Sequence, residues 1–294
     1  MTNATVQLIT QFKALGDPVR LRIVALCSNG ECSVSELTAV LSLSQPRVSQ
    51  HLKQLCEAGL LERFRDGHFV YYRVATGGDD AASRRRVLSL VPGNDASFAS
   101  DVRALHELRV ASNSANDDGD EPSRALHRAL VALTVATPLG DLVDIGSGRG
   151  RILKLLASRA QRAVGVDIDS DARRFARAEL MLAGLPNCTL RQGSMYRLPF
   201  DDGEFDTAIL DDVLTDAAKP VRAIREAVRV LKPSGRLLLL QSVDTDGIDI
   251  LNGRIARWCA ETGLRLAPAR AIPSKRPEWV LAVATKQDAA SVAA

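Results

Sequence analysis

The stretch Leu142–Gly150 reads LVDIGSGRG. An apolar run leads into an acid, Asp144, and then Gly146, Gly148 and Gly150 stand at alternate positions. Glycines so placed let a backbone turn sharply and come close to a ligand. About 20 residues downstream, where a ribose-binding acid is expected, Asp167 ends the next apolar run, RAVGVDID. The chemistry these residues suit is the holding of a nucleoside. A dinucleotide fingerprint, G-x-G-x-x-G, would need a third glycine at the position of Arg151, so nicotinamide is the weaker reading. Asp144 reads equally well as an acid that ties the loop. Asp169 and Asp171 read as caps of the following helix.

A second set of chemistry-bearing residues lies near the N-terminus, in SQPRVSQHLKQL. Val48, Leu52 and Leu55 fall at helical spacing and form a stripe to be buried. Ser44, Gln45, Arg47, Ser49, Gln50, His51 and Lys53 fall mostly off that stripe. Arg and Gln can bond base edges in the major groove, and Ser, His and Lys suit phosphates or bases. Ser44 suits the N-cap and Pro46 the first turn. The following LLERFRDGHFVYYRV places Asp66-Gly67 between two β-like runs, which signals a hairpin. Its outer face is expected to offer Arg63, Arg65, His68 and Arg73.

These residues need elements to position them. Val6–Leu26 reads as helix broken at Gly16-Asp17-Pro18, with Asp17 as the new cap, and Ser33 or Ser35 can cap the helix after it. A short turn, Ser42–Ser44, then joins that helix to the basic one. Two helices so joined, followed by a hairpin, describe a winged helix-turn-helix over residues 1–76. Residues 77–122 read as linker, because ATGGDDAASRRR and SNSANDDGDEPS lack apolar periodicity. Within it, about 95–110, Phe98, Val102, Leu105 and Leu108 predict an amphipathic helix for dimerisation or interdomain coupling. From 123 to 286, strands and helices alternate, which predicts an α/β doubly wound parallel sheet with its ligand at the C-terminal strand ends. Residues 287–294 read as a frayed tail.

Composition sets bounds but names no function. The 294 residues carry a formal net charge of +3, so a DNA-binding surface would have to be local. Cys27, Cys32, Cys56, Cys188 and Cys259 form no CxxC, and a reducing compartment is expected. Cys27, Cys32 and Cys56 read as small buried hydrophobes. The N-terminus lacks a signal-peptide pattern, and the apolar runs fall short of the ~18 residues of a membrane span. A cytoplasmic protein without membrane partners is expected.

Phe12–Val74 resembles the ArsR/SmtB winged-helix repressors, through FKALGDPVRLRIVALC, SVSELTAVLSLSQPRVSQHLKQLCEAGLLERFRDG and HFVYYRV. The resemblance implies a homodimer that binds a double-stranded, pseudo-palindromic operator and represses. Metal-sensing members carry Cys-x-Cys on the helix before the recognition helix. Ser33 and Ser35 stand there in this chain, and Cys32 is out of register. Serine is a poor ligand for soft metals, so no metal site is expected.

Leu126–Lys286 resembles the class I S-adenosylmethionine-dependent methyltransferases, through DIGSGRG, GVDID, LPFDDGEFDTAILDDVL and REAVRVLKPSGRLLL. The resemblance implies a Rossmann-like methyltransferase fold. It implies contacts to S-adenosylmethionine or S-adenosylhomocysteine from Asp144, Gly146, Gly148, Gly150, Asp167 and Ile168. Asp211 is placed near the methionine half, and Ser194 and Met195 at the adenine. Ser194 stands where the family usually has an Asp. Asp212, Asp216 and Tyr196 are candidates for an acceptor pocket, although surface or packing roles are preferred. No catalytic residue is assigned.

Three readings follow: a regulator whose methyltransferase-like domain binds the sulfur ligand as effector, an active small-molecule methyltransferase with an autoregulatory DNA-binding domain, and a DNA-binding protein with a mere dimerisation platform. The intact glycine loop and Asp167 disfavour the third. Ser194 and the unassigned acceptor chemistry favour the first over the second.

Overall fold

The structure, a computed structural model, describes residues 3–66, 69–75, 81–92, 95–113, 124–243 and 247–287. It divides into two compact units, Met1–Asp117 with Leu180–Pro186, and Asp118–Glu179 with Asn187–Ala294.

The first unit contains α1 (Asn3–Leu15), α2 (Pro18–Ser28), β1 (Cys32–Ser33), α3 (Val34–Leu41), α4 (Gln45–Glu57), β2 (Leu61–Asp66), β3 (Phe69–Val74), α5 (Ala81–Leu88) and α6 (Ala96–Asn113). Asp17 caps α2 by accepting the Arg20 N–H at 3.0 Å, with Pro18 in the first turn. Ser33 and Glu36 form a capping box at the head of α3. Ser42 takes a left-handed conformation, φ 52°, at the C-cap of α3 and starts the turn into α4. Val48, Leu52 and Leu55 of α4 are wholly buried, each contributing roughly 1.5–3 kcal/mol by leaving water. β2 and β3 pair antiparallel from Leu61↔Val74 to Asp66↔Phe69, and β1 pairs with β3. Gly67 of the expected turn and His68 lie outside the described residues.

The expected linker supplies two helices to this unit. Val87 of α5 is buried in the N-terminal core, and the buried Arg84 donates to the Gly59 carbonyl at 3.2 Å. A run such as AASRRRVL has too few apolar residues to show a stripe, so α5 is not legible from periodicity. α6 packs on α2 and α3, with Leu105 wholly buried.

The second unit contains α7 (Arg124–Ala136), β4 (Asp141–Ile145), α8 (Arg151–Leu156), β5 (Arg162–Asp167), α9 (Ser170–Leu182, its last residues counted with the first unit), β6 (Cys188–Gln192), β7 (Phe205–Asp211), α10 (Pro220–Val230), β8 (Leu231–Ser242), α11 (Ile248–Glu261), β9 (Leu264–Leu266), β10 (Arg270–Ile272) and β11 (Trp279–Lys286). The sheet runs β10-β11-β8-β7-β4-β5-β6, with β9 also on β11. β8, β7, β4, β5 and β6 are parallel, as alternation predicts. β11 instead runs antiparallel to β8, because it follows β10 through the short 273–278 connection rather than a crossover helix. The core is the sheet's apolar residues, such as Val143, Ile145 and Leu239, against Ile224, Ala227 and Val230 of α10 and Ile255 of α11. The fold is thus a winged helix-turn-helix followed by a Rossmann-like α/β methyltransferase fold.

Candidate functional site

Parallel strands bring the glycine loop, Asp167, Ile168 and Asp211 to one edge, the C-terminal ends of β4, β5 and β7. The loop is fastened from below: Gly146 and Ser147 donate to the Val166 carbonyl at 2.7 and 3.0 Å. It is fastened from the side as well, since the Gly148 N–H donates to Asp167 Oδ2 at 2.8 Å. Asp167 Oδ1 accepts the Asp169 N–H at 2.8 Å, so the acid is held from two directions. Gly146 has φ 75°, and a Cβ there would stand 2.5 Å from Val213 Cγ1, which excludes any larger residue. Gly148 has φ 49° and faces open space within 4 Å of the Cβ it lacks. Gly150, also at positive φ, leads directly into α8.

Asp144 does not tie the loop through Oδ1. That atom is buried and has no hydrogen-bond partner, and the buried Ser147 Oγ is also without one. Burial, together with the charges of Asp211 and Asp167, pushes the Asp144 carboxyl well above the usual range. A buried polar atom without a partner is costly, and here one stands on β4 and one in the loop after it. They fit a ligand that brings hydrogen-bond donors and positive charge, as the amino-acid end of S-adenosylmethionine does.

The remaining candidates lie around this cradle. Ile168 is 71% exposed beside Asp167, an apolar surface that a purine can cover. The segment after β6 is tied to β5 by the Gly193 N–H, which donates to the Asp167 carbonyl at 3.1 Å. Ser194 Oγ there accepts the Tyr196 N–H at 3.2 Å, and Met195 packs against the core. Asp169 Oδ1 accepts the Asp171 and Ala172 N–H groups, which caps α9. Asp212 sits at φ 53° and accepts the Ser242 N–H and hydroxyl at 2.8 Å. The Tyr196 hydroxyl accepts the Lys219 N–H at 3.3 Å. Both groups thereby hold structure.

Arg151 is the residue that sequence reasoning passed over. Its Nη2 donates to Asp211 Oδ1 and Oδ2 at 3.1 and 2.9 Å, and its guanidinium lies 4.9 Å from the Trp279 ring centroid. The only hint in the chain is a cation placed directly after the third glycine.

In the first unit, Ser44, Gln45, Arg47, Ser49, Gln50 and Lys53 are exposed on and just before α4, and Arg63 and Arg65 are exposed on β2. Ser44 stands at the N-cap but makes no side-chain cap bond, which leaves its hydroxyl for another partner. Two side chains depart from expectation. His51 is 17% exposed and its Nδ1 lies 3.8 Å from Asp17 Oδ1, so it is turned toward the cap of α2 rather than outward. Arg73 is bonded to Glu62 and Glu31 and stacked on the Phe64 ring at 5.2 Å. The register Glu62↔Arg73 sets that pairing, and the arginine is withdrawn from the outer face.

Ser33 and Ser35 hydroxyls lie 3.0 Å apart at the head of α3, where Ser33 bonds Glu36. Cys27 and Cys32 are buried, and the Cys32 contact and burial push the Cys27 thiol upward. Among the described residues no helix is long and apolar enough to cross a membrane.

Comparison with known proteins finds a separate match in each unit. Residues 17–63 match the family described as bacterial regulatory protein, arsR family, and residues 143–239 match a methyltransferase domain family. The chain is 52% identical over 64 residues to the arsenic resistance transcriptional regulator ArsR1 of Pseudomonas putida, covering 21% of this chain and 50% of that one. It is 35% identical over 129 residues to the ubiquinone/menaquinone biosynthesis C-methyltransferase UbiE of Paraburkholderia phymatum, covering 42% and 53%. It thus spans about half the length of each relative. The crystal structure of a SAM-dependent methyltransferase from Aquifex aeolicus superposes with TM-score 0.49 at 18% identity, over 56% of this chain and 94% of that one. The two family matches thus fall on separate stretches of the chain, the arsR-family model on residues 17–63 and the methyltransferase model on residues 143–239.

Proposed function

We propose that the chain is a dimeric DNA-binding regulator, a repressor, whose methyltransferase domain binds S-adenosylmethionine or S-adenosylhomocysteine as effector. The observation that carries this reading is the commitment of Asp212 and Tyr196 to structural bonds, together with a cradle in which Asp144 Oδ1 and Ser147 Oγ are buried without partners. Buried polar atoms without partners suit the binding of a ligand, while two of the three acceptor-pocket candidates, Asp212 and Tyr196, are engaged in structural bonds and the third, Asp216, is exposed. Asp167 would hold the ribose, Ile168 and Met195 would cover the adenine with Ser194 at its edge, and Asp144 and Asp211 would face the amino-acid end. When bound, S-adenosylmethionine supplies an electrophilic methyl group. The chain's residues bind and orient that ligand, and its differential affinity for two states of the regulator would shift operator binding.

Gln45, Arg47, Ser49, Gln50 and Lys53 would enter the major groove, with Ser44 and Arg65 on phosphates. Val6, Ile9 and Phe12 of α1 are 48%, 39% and 48% exposed, and this apolar stripe supports pairing with a second copy. A cytoplasmic location follows from this reading.

One observation favours the alternative, an active small-molecule methyltransferase with an autoregulatory DNA-binding domain. A cleft of about 430 Å³, lined by Leu214, Thr215, Val221, Arg254, Trp258 and Glu261 among others, offers room for an acceptor. Fluorescence anisotropy on DNA from the chain's own upstream region, with and without each sulfur ligand, separates the two. A ligand-dependent affinity is expected. Tight DNA binding indifferent to both ligands would overturn the effector reading in favour of the enzyme.

A further inference from the structure

The spacing that argues against a dinucleotide fingerprint puts Arg151 where a third glycine would stand. The arginine is the first residue of α8, and Asp211 is the last of β7. Their side chains are 13% and 14% exposed, so both charges are largely taken out of water. Desolvating an ion pair cancels much of its Coulomb gain, and such a pair is weak evidence of a purely stabilising role. The surroundings sharpen the question. Asp144 experiences the negative charges of Asp211 and Asp167 and the positive charge of Arg151. Those three carboxylates suit the ammonium of an amino acid and repel its carboxylate. A cation is needed to admit both ends of the zwitterion, and Arg151 is the cation in place.

We propose that Arg151 and Asp211 together read the amino-acid end of the sulfur ligand, the guanidinium binding its carboxylate and Asp211 its ammonium. This rests on the reading that the domain binds a sulfur nucleoside. A neutral pair meeting a zwitterion closes an alternating ring of charges, so each of its four charges has an opposite. Trp279 holds the guanidinium against its ring, which presets the plane of the fork for a carboxylate. A planar guanidinium carries five donors and can serve two carboxylates at once, so the bond to Asp211 need not break. A nucleoside without the amino-acid end would gain nothing from either residue.

Calorimetric titration of the full chain with S-adenosylhomocysteine and with 5′-methylthioadenosine tests this, because the second ligand keeps the nucleoside and thioether and lacks the amino acid. Arg151→Met should weaken S-adenosylhomocysteine about 10- to 100-fold, as expected for losing a charged bidentate contact. The loss for 5′-methylthioadenosine should stay below about 3-fold, with Arg151→Lys intermediate. Asp211→Asn, nearly isosteric, should show the same selectivity and guards against a folding defect in the first variant. Equal losses for both ligands, or none, would overturn the assignment while leaving ligand binding by the domain intact. A wild-type chain that binds neither ligand would overturn both readings.

Discussion

Arg109 Nε donates to Glu36 Oε1 at 2.6 Å, and so the C-terminal half of α6 is bolted to the capping box of α3. The guanidinium is 3% exposed, and its Nη2 also donates to the Glu31 carbonyl at 2.8 Å. Nearer the start of α6, Asp101 takes Arg22 of α2 in a two-pronged bond at 2.7 and 2.6 Å. The helix that leads toward the second domain's sequence is thereby tied to the helix that precedes α4.

Burial opposes ionisation of Glu36, but the charge and bonds of Arg109, with those from Ser33, outweigh it and hold the carboxyl below its ordinary 4.5. A carboxyl lowered on folding stabilises the protein above its unfolded pKa and loses that contribution as pH falls through the folded value. Glu36→Gln should therefore unfold at lower urea than the wild type at pH 7. The two curves should converge as pH falls below about 4.5, the ordinary glutamate range. Parallel curves across that range would remove Glu36 from the linkage.

Asp144 works in the opposite direction. Its raised carboxyl favours the folded state below the unfolded value of 3.8, and that advantage is lost as pH climbs toward the folded value. Asp144→Asn should raise the thermal midpoint of the ligand-free chain at pH 7 by roughly 2–4 °C for each 1 kcal/mol relieved. The same change should weaken S-adenosylhomocysteine binding. Calorimetry reads both, and a variant less stable than wild type would count against a strained, ligand-awaiting acid.

Asp167→Ala should abolish the ligand response and weaken ligand binding on the order of 100-fold, from losing two charged hydrogen bonds. The Gly148 N–H loses its acceptor in the same variant. Circular dichroism should stay that of the wild type. Unchanged affinity would move the ribose site elsewhere.

On DNA, Arg47→Ala should weaken operator binding by about 10-fold or more, as for a base contact, and leave ligand affinity alone. His51→Ala should cost little affinity, because the side chain faces Asp17. A larger loss from His51 than from Arg47 would reverse the assignment of the reading face.

Phe12→Asp should convert the proposed dimer to monomer in sedimentation, since the ring is 48% exposed on an apolar stripe of α1. A variant still dimeric would place the contact on another surface.

Much of this protein can be read along the chain. The stripe Val48, Leu52 and Leu55 predicts which face of α4 is buried, and the polar residues between them are exposed, with His51 the exception. The alternating glycines and Asp167 predict a nucleoside cradle because turn geometry and hydrogen-bond reach are local properties of a strand–loop–helix. The cap at Asp17 and the turn before α4 are equally local. What only the folded chain decides are pairings between distant residues. Arg151 and Asp211 are 60 positions apart, and Arg109 and Glu36 are 73 apart. The withdrawal of Arg73, the antiparallel entry of β11 and the unpartnered Asp144 Oδ1 belong with them. Periodicity tells a side chain whether to face the core. Which charge it meets there depends on register and topology, and those exist only once the sheet and helices have packed.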